Sequence, residues 1–321
     1  MNFSLTSKVL NEFLSQSVIS GGELGERLSV SRNAVHKAIT SLKQEGFLIE
    51  SQARQGYKFL GDGDVINKSI ISRYLKTKNL GRSLDVLEQV DSTNSYLKRK
   101  LPLGEGYAVV SDCQINGMGR KGRIFYSPKG GLYLSFVLKP NLPIAKLQFL
   151  TICAALAVCR ALKEVCDFDA DVKWVNDIYY DGKKLCGIST DASFSAELLG
   201  VEHVIMGIGI NLLDVANEVS NIATSVKNIT GKTGFRNRLI ASVLNNMQST
   251  LGEFYDGGTL KLIDEYRQKL FIINKTVTVV EGDKEYTGVV HSITNDGGLS
   301  VQIKGQGLKI FRAGEISLII S

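Results

Sequence analysis

No stretch of this 321-residue chain stays apolar long enough to cross a bilayer. The longest such run, Phe149 to Cys159, is broken by Thr151 and closed by Arg160, far short of the roughly 20 residues a spanning helix needs. The start, MNFSLTSKVLNEFL, lacks a basic segment followed by an apolar core and a small-residue cleavage site; no secretory signal is expected, and the cytoplasm is the expected location. There is no C-x-x-C pair, the five cysteines (Cys113, Cys153, Cys159, Cys166, Cys186) are odd in number, and the three histidines are not clustered. That pattern argues against a disulfide framework or a zinc site and leaves the thiols as reduced, mostly core residues. Internal repeats and low-complexity runs are absent. Neither sign of charge dominates, with 38 Lys and Arg against 32 Asp and Glu for a net +6, and 44% hydrophobic with 22% charged residues excludes a disordered chain. The length predicts roughly two domains of about 150 residues.

What is present begins with a helical module. Val9, Leu10, Phe13, Leu14 and Val18 recur at helical spacing, and the stripe ends at Ser20-Gly21-Gly22. A second short helix is expected from about Glu23 to Leu28, then a third in which Val35, Ile39 and Leu42 face inward and Ser31 caps the first turn. After Gly46, FLIE and GYKFL flank SQARQ as a two-stranded ribbon with a basic tip. Between Arg27 and Lys58 stand six Lys or Arg (Arg27, Arg32, Lys37, Lys43, Arg54, Lys58) against Glu45 and Glu50. Arg32, Asn33, His36, Lys37 and Thr40 lie off the apolar stripe of the third helix, where they offer donors to phosphates and base edges, and Arg54 sits in the ribbon tip. The pattern reads as a winged helix-turn-helix that binds DNA, with a small helical domain bearing a solvated or protein-binding face as the alternative.

Gly61-Asp62-Gly63-Asp64 reads as a linker. The middle of the chain alternates strand-like stretches (84–90, 107–111, 132–138, 172–174, 184–190, 203–210) with helices, including 144–165 and 236–254, which predicts a mixed sheet carrying helices. From Lys275 onward, KTVTVV, KEYTGVVHSI, GLSVQI and LKIF are short alternating strands between Gly, Asp and Asn turns, the pattern of a small barrel. The fold class is α+β.

The segment QINGMGRKGRIFYSP (114–128) contains G-x-G-x-x-G as Gly117, Gly119 and Gly122. A dinucleotide fingerprint needs a helix directly after the glycines and an acid about 20 residues later. Here Pro128 and Gly130-Gly131 follow, and no acid occurs between Ile124 and Lys163. The Walker pattern is also missing. What remains is a glycine-spaced loop with Arg120, Lys121 and Arg123 that could close over an anion, or else a solvated surface loop.

Taken in order, the winged module, Asp91-Ser92-Thr93-Asn94, Gln114 with GMGRKGR, Lys173-Trp174-Val175-Asn176-Asp177, KKLCGI (183–188), GIGIN (207–211) and GEISL (314–318) make the sequence resemble the bifunctional biotin protein ligases and biotin operon repressors of the BirA type. The resemblance spans nearly the whole chain. It implies a winged helix-turn-helix domain at 1–62, a class II synthetase-like biotin- and ATP-binding catalytic domain at 65–270, and an SH3-like barrel at 272–321. It also implies a biotin site of Ser92, Thr93, Asn94, Gln114, Gly117, Met118, Gly119, Arg120, Lys184 and Gly187, in which short hydroxyls and amides satisfy the ureido ring. Ser92-Thr93-Asn94 can also be a helix N-cap, and Lys184 taken alone can be an exposed charge. Arg120 and Lys184 are implied for catalysis, and Phe125 for the adenine, with Lys121 and Arg123 beside them for ATP and the adenylate; Asn176 and Asn211 are read as polar contacts to ATP, and Asp177 as a catalytic carboxylate that supports either Mg2+ or the carrier amine.

Three positions depart from the family pattern: Met118 replaces an arginine, Val175 a proline and Phe125 a tryptophan. The implied chemistry is two acyl transfers through biotinyl-5'-AMP without an enzyme nucleophile. The implied partners are the biotin carboxyl carrier protein of acetyl-CoA carboxylase, operator DNA and a second copy when the adenylate is bound, the dimer strand beginning at Asp191-Ala192-Ser193; no membrane is involved. Open alternatives are a lipoate ligase, a non-catalytic biotin-sensing repressor, and a ligase whose N-terminal module contacts only protein.

Overall fold

The computed structural model describes residues 4–119, 122, 124–195, 200–216, 219–312 and 315–318. Arg120, Lys121 and Arg123 lie outside these described residues.

In the N-terminal module, α1 (Leu5–Ser15) starts where the Ser4 hydroxyl accepts from the Ser7 N–H, and buries Val9, Leu10 and Phe13. The helix stops before Val18, which the helical spacing had assigned to the stripe. Gln16 turns extended, and the β-branched pair Val18–Ile19 forms β1 against a strand of the wing, with Val18 opposite Lys58. Ser20 caps α2 (Gly21–Leu28), so that helix begins two residues earlier than expected. Ser31 caps α3 (Arg32–Glu45) through the Ala34 N–H at 3.2 Å, and Gly46 ends it at φ 106°, a conformation glycine adopts without steric cost. The strands β2 (Leu48–Gln52) and β3 (Gly56–Gly61) make the wing, in the sheet order β1-β3-β2.

The linker is not a free tether. Asn237 donates to the Asp62 carboxylate at 2.6 Å and to the Val65 carbonyl at 2.7 Å, while Arg236 donates to the Asp64 carbonyl at 3.1 Å. Burial pushes the Asp62 carboxyl above its ordinary range. The next helix, α4 (Lys68–Tyr74), joins two cores, with Ile70 packed in the N-terminal one and Ile71 in the central one.

The central sheet contains β4 (Leu84–Val90), β5 (Ala108–Gln114), β6 (Leu132–Leu138), β7 (Asp171–Lys173), β8 (Asp177–Tyr180), β9 (Lys183–Ser195) and β10 (Gly200–Ile210), in the order β4-β5-β6-β10-β9-β8-β7. Among the described strand pairs of this sheet β4 and β5 are parallel and the others antiparallel, so the sheet is mixed, as expected. Its inner strand β6 is buried at every position because both faces are covered. On one face lie α6 (Leu147–Cys166) and α8 (Arg236–Tyr255), backed by α9 (Thr259–Lys269); on the other, Leu97 of α5 (Thr93–Lys100) packs with Val109, Val137 and Ile205. All five cysteines are free, and four are buried among these elements. A short helix α7 (Val226–Thr230) follows β10.

The C-terminal strands β11 (Thr276–Glu281), β12 (Lys284–Ile293), β13 (Leu299–Ile303), β14 (Gly307–Phe311) and β15 (Glu315–Leu318) form one antiparallel sheet in the order β14-β13-β12-β11-β15. It is fastened beside the central sheet at the Gly297 carbonyl, which accepts from the Trp174 indole N–H at 3.0 Å and from Gln148 at 2.6 Å. Among the described residues no helix is long and apolar enough to cross a membrane.

Candidate active site

A cavity of about 330 Å³ opens where the N-terminus of α5, the end of β5 and the adjoining loop meet the faces of β9 and β10. Its volume is that of a small-molecule site. At one end the side chains form a polar cluster. The Gln114 carboxamide oxygen accepts from the Thr93 N–H at 2.8 Å and from the Thr93 hydroxyl at 3.0 Å. The buried Ser135 hydroxyl lies 2.7 Å from Thr93 Oγ1 and 2.6 Å from Asn94 Oδ1. Asn94 Nδ2 in turn donates to Ser189 and to Asp191, each at 3.0 Å. Every amide in the cluster is therefore held in one orientation before any ligand arrives.

Toward the other end, Lys184 Nζ lies 2.8 Å from Asp177 Oδ1, with both side chains partly exposed. Tyr179 also faces this cavity, and its hydroxyl is pushed up to about 12, first by burial and then by the Asp177 charge, so it stays neutral. The floor is flat for a steric reason: a Cβ on Gly209 would lie 2.6 Å from the Phe125 ring and one on Gly187 3.2 Å from it. The loop carrying Phe125 folds back on itself, with bridges pairing Gln114 with Ser127 and Met118 with Ile124, and leads into β6 instead of a helix. That placement agrees with the rejection of a dinucleotide fingerprint. Among the described residues no group of three or more His, Cys, Asp or Glu could hold a metal.

Family models match this chain in three places: an HTH domain at residues 6–58, the biotin/lipoate A/B protein ligase family at 86–211, and the biotin protein ligase C terminal domain at 272–319. The bifunctional ligase/repressor BirA of Bacillus subtilis (strain 168) is 32% identical over 324 residues, which is 98% of this chain and 96% of that protein. The chain belongs to the bifunctional biotin ligase/repressor family. Its Escherichia coli (strain K12) member, also named bifunctional ligase/repressor BirA, is 30% identical over 303 residues, 93% of this chain and 92% of that one. A solved biotin protein ligase from Aquifex aeolicus, in complex with biotin and ATP, superposes with a TM-score of 0.67 at 31% identity, covering 75% of this chain and all of that one.

Within this family frame the residues read from sequence divide into three groups. Ser92, Thr93, Asn94, Gln114, Met118, Gly119, Phe125, Asn176, Asp177, Lys184 and Gly187 all line the one cavity. Ser92 is also the N-cap of α5, although its side chain makes no capping bond. Gly117 stands just behind the wall, where a Cβ would press on Phe125 O and Ser127 Oγ, each at 2.5 Å. Asn211 is not part of the cavity lining: its amide donates to the Thr224 carbonyl at 3.1 Å, and its backbone ties Leu185 to Val226. Asn176 lines the cavity but also braces β9 by donating to the Ile188 carbonyl at 2.7 Å.

Sequence reading missed Ser189, Gly207, Gly209 and the supporting Ser135 and Ser127. The two glycines carried a signal in GIGIN; the serines carried none, because a serine's partners are invisible in one dimension. On the N-terminal module, Arg32, Asn33, His36, Lys37 and Thr40 are exposed along α3 and Arg54 is exposed at the wing tip. The Thr40 hydroxyl is used within the helix, donating to the His36 carbonyl at 2.9 Å.

Proposed function

We propose that this protein is an ATP-dependent biotin protein ligase, forming biotinyl-5'-AMP and passing biotin to a lysine of a biotin carboxyl carrier protein, and that it also acts as a biotin-responsive repressor. One observation carries the reading: an amide and hydroxyl cluster suited to a ureido ring shares a cavity with a lysine suited to a carboxylate and phosphate. The polar cluster orients biotin by Thr93, Asn94 and Gln114. Lys184 draws the biotin carboxylate toward the α-phosphate of ATP; an oxygen of that carboxylate attacks phosphorus and pyrophosphate leaves. Charge grows on phosphate oxygens in that step, and a fixed cation beside them stabilises it. The carrier amine then attacks the acyl carbon and AMP departs, so no enzyme nucleophile is needed. We assign Arg120, Lys121 and Arg123 to the adenylate from the sequence pattern alone. Phe125 offers its ring to the nucleotide.

Mg2+ suits this site on chemical grounds, since it is commonly held by one or two carboxylates together with substrate phosphates. The Asp177 carboxylate could hold it, and the ion would supply further charge neutralisation at the phosphates.

Incubation with ATP, radiolabelled biotin and a carrier domain tests the reading: label in the carrier is expected, and its absence with no biotin-dependent pyrophosphate exchange overturns it. Exchange driven by lipoate instead would move the assignment to lipoate ligation. Gly209→Ala is expected to force Phe125 off the floor, at a cost of about 1–3 kcal/mol for overpacking. Titration with biotinyl adenylate should then show binding weaker by one to two orders of magnitude.

Repression requires operator DNA and, for two half-sites, two copies. Support for a dimer comes from β9, which beyond Gly187 pairs with β10 but no longer with β8, leaving one edge around Asp191-Ala192-Ser193 without a strand partner among the described residues. The exposed cations of α3 and the wing support DNA binding, and the reading places the protein in the cytoplasm. Removing one phosphate contact, as in Lys37→Ala, should lower the slope of log affinity against log salt by about one. An unchanged slope would remove Lys37 from the interface.

A further inference from the structure

Ser127 was not singled out by any sequence pattern, yet it stands where the pocket meets the base of the arginine-bearing loop. It is only 4% exposed. Its hydroxyl accepts from Gln114 Nε2 at 2.8 Å and donates to the Phe125 carbonyl at 2.9 Å. The direction of these bonds is forced. The Gln114 oxygen already accepts twice from Thr93, so the amide nitrogen must face Ser127. The single Ser127 proton is then left for the Phe125 carbonyl. Backbone bonds surround the same spot: Gln114 N donates to Ser127 O at 3.0 Å, and Phe125 N donates to Gly117 O at 2.8 Å.

We infer that Ser127 is a positioning residue coupling the Gln114 carboxamide in the pocket to the base of the 115–126 loop, so that a ligand held by Gln114 also holds the loop in register. This deepens the proposed function and rests on Gln114 facing biotin. Ser127 touches no reacting atom; it acts through Gln114 on one side and through Phe125 on the other. Gly117 is part of the same device, because a Cβ there would intrude on Ser127 and Gln114 together.

The test compares Ser127→Ala and Ser127→Thr in the full-length protein, each with and without Gln114→Ala. Readouts are biotin binding by calorimetry, dissociation of biotinyl adenylate, KM and kcat in pyrophosphate exchange, and the melting temperature. Ser127→Ala should weaken biotin binding about tenfold and speed adenylate release by a similar factor, the equivalent of about 1.4 kcal/mol and within the range of a buried hydrogen bond. KM for biotin should rise with kcat within about twofold. Ser127→Thr keeps the hydroxyl and should restore most of the loss. In the Gln114→Ala background the further effect of Ser127→Ala should shrink to about twofold or less, the non-additivity expected of residues in one network. Equal effects in both backgrounds, or a fall in melting temperature with unchanged binding and release, would overturn the inference. If Ser127→Ala fails to fold, Ser127→Cys, close in size with a weakly bonding sulfur, carries the same comparison. A wild-type protein that binds biotin but catalyses no exchange would count against the ligase reading, while the binding comparison would still decide the role of Ser127.

Discussion

Arg236→Met is expected to lower the unfolding free energy by about 3 kcal/mol or more, the cost of stripping one partner from a buried ion pair, and the melting temperature by roughly 6–12 °C. The Arg236 side chain is 4% exposed and lies 2.6 Å from the Asp112 carboxylate, itself only 16% exposed. The guanidinium also donates to the Gly131 carbonyl at 2.9 Å and to the Asp64 carbonyl at 3.1 Å. Methionine would fill much of the volume while leaving two carbonyls without this donor and the Asp112 carboxylate with only the exposed Lys129 ammonium, 3.4 Å away. Asp112 is two residues before Gln114 on β5, Gly131 follows the arginine-bearing loop, and Asp64 belongs to the linker, so this one arginine joins the pocket wall to the approach of the N-terminal module. Adding Asp112→Leu should recover the part of the loss that comes from a half-buried carboxylate left with only the exposed Lys129, but not the part from the carbonyls. Limited proteolysis should show faster cleavage around residues 61–67 in Arg236→Met. Denaturant unfolding that changes by less than about 1 kcal/mol would show that the arginine carries none of this load.

Lys184→Ala is expected to reduce biotin-dependent pyrophosphate exchange by about 10² to 10³, the usual cost of removing one fixed group that stabilises charge growing in the transition state. The fold should survive, because the Lys184–Asp177 pair is partly exposed and such pairs contribute little to stability. Lys184→Arg should recover only part of the rate: a planar fork cannot replace a compact ammonium held 2.8 Å from Asp177. Single-turnover adenylate formation isolates this step from carrier transfer. Activity within about threefold of the unsubstituted protein would return Lys184 to the status of a surface charge.

These two expectations differ in how far the sequence foretells them. Lys184 was legible because it stands in KKLCGI, one of several motifs in a shared order. Its partner Asp177 was also named, but their contact was not, since six residues of strand and turn separate them. Arg236 was legible only as the start of a helix. Its importance comes from Asp64, Asp112 and Gly131, which lie more than 100 residues away in the chain and are gathered by folding. Asn211 shows the reverse case, a motif residue whose amide is taken by the Thr224 carbonyl and so does not line the cavity. Asn94 keeps its place, yet only the structure reveals that it is oriented by Ser135, Ser189 and Asp191.

By itself the sequence determined what is local. The capping serine Ser31, the stop at Gly46, the strand alternation after Lys275 and the absence of a helix after Gly122 are all decided by neighbours within a few residues, where backbone propensity and side-chain spacing suffice. Tertiary structure alone decided the pairing of Val18–Ile19 with the wing, the clasp on the linker and the serines that orient the pocket amides. Each of those depends on a buried donor finding an acceptor from a distant segment, and the cost of leaving such a group unsatisfied is felt only once water has been excluded.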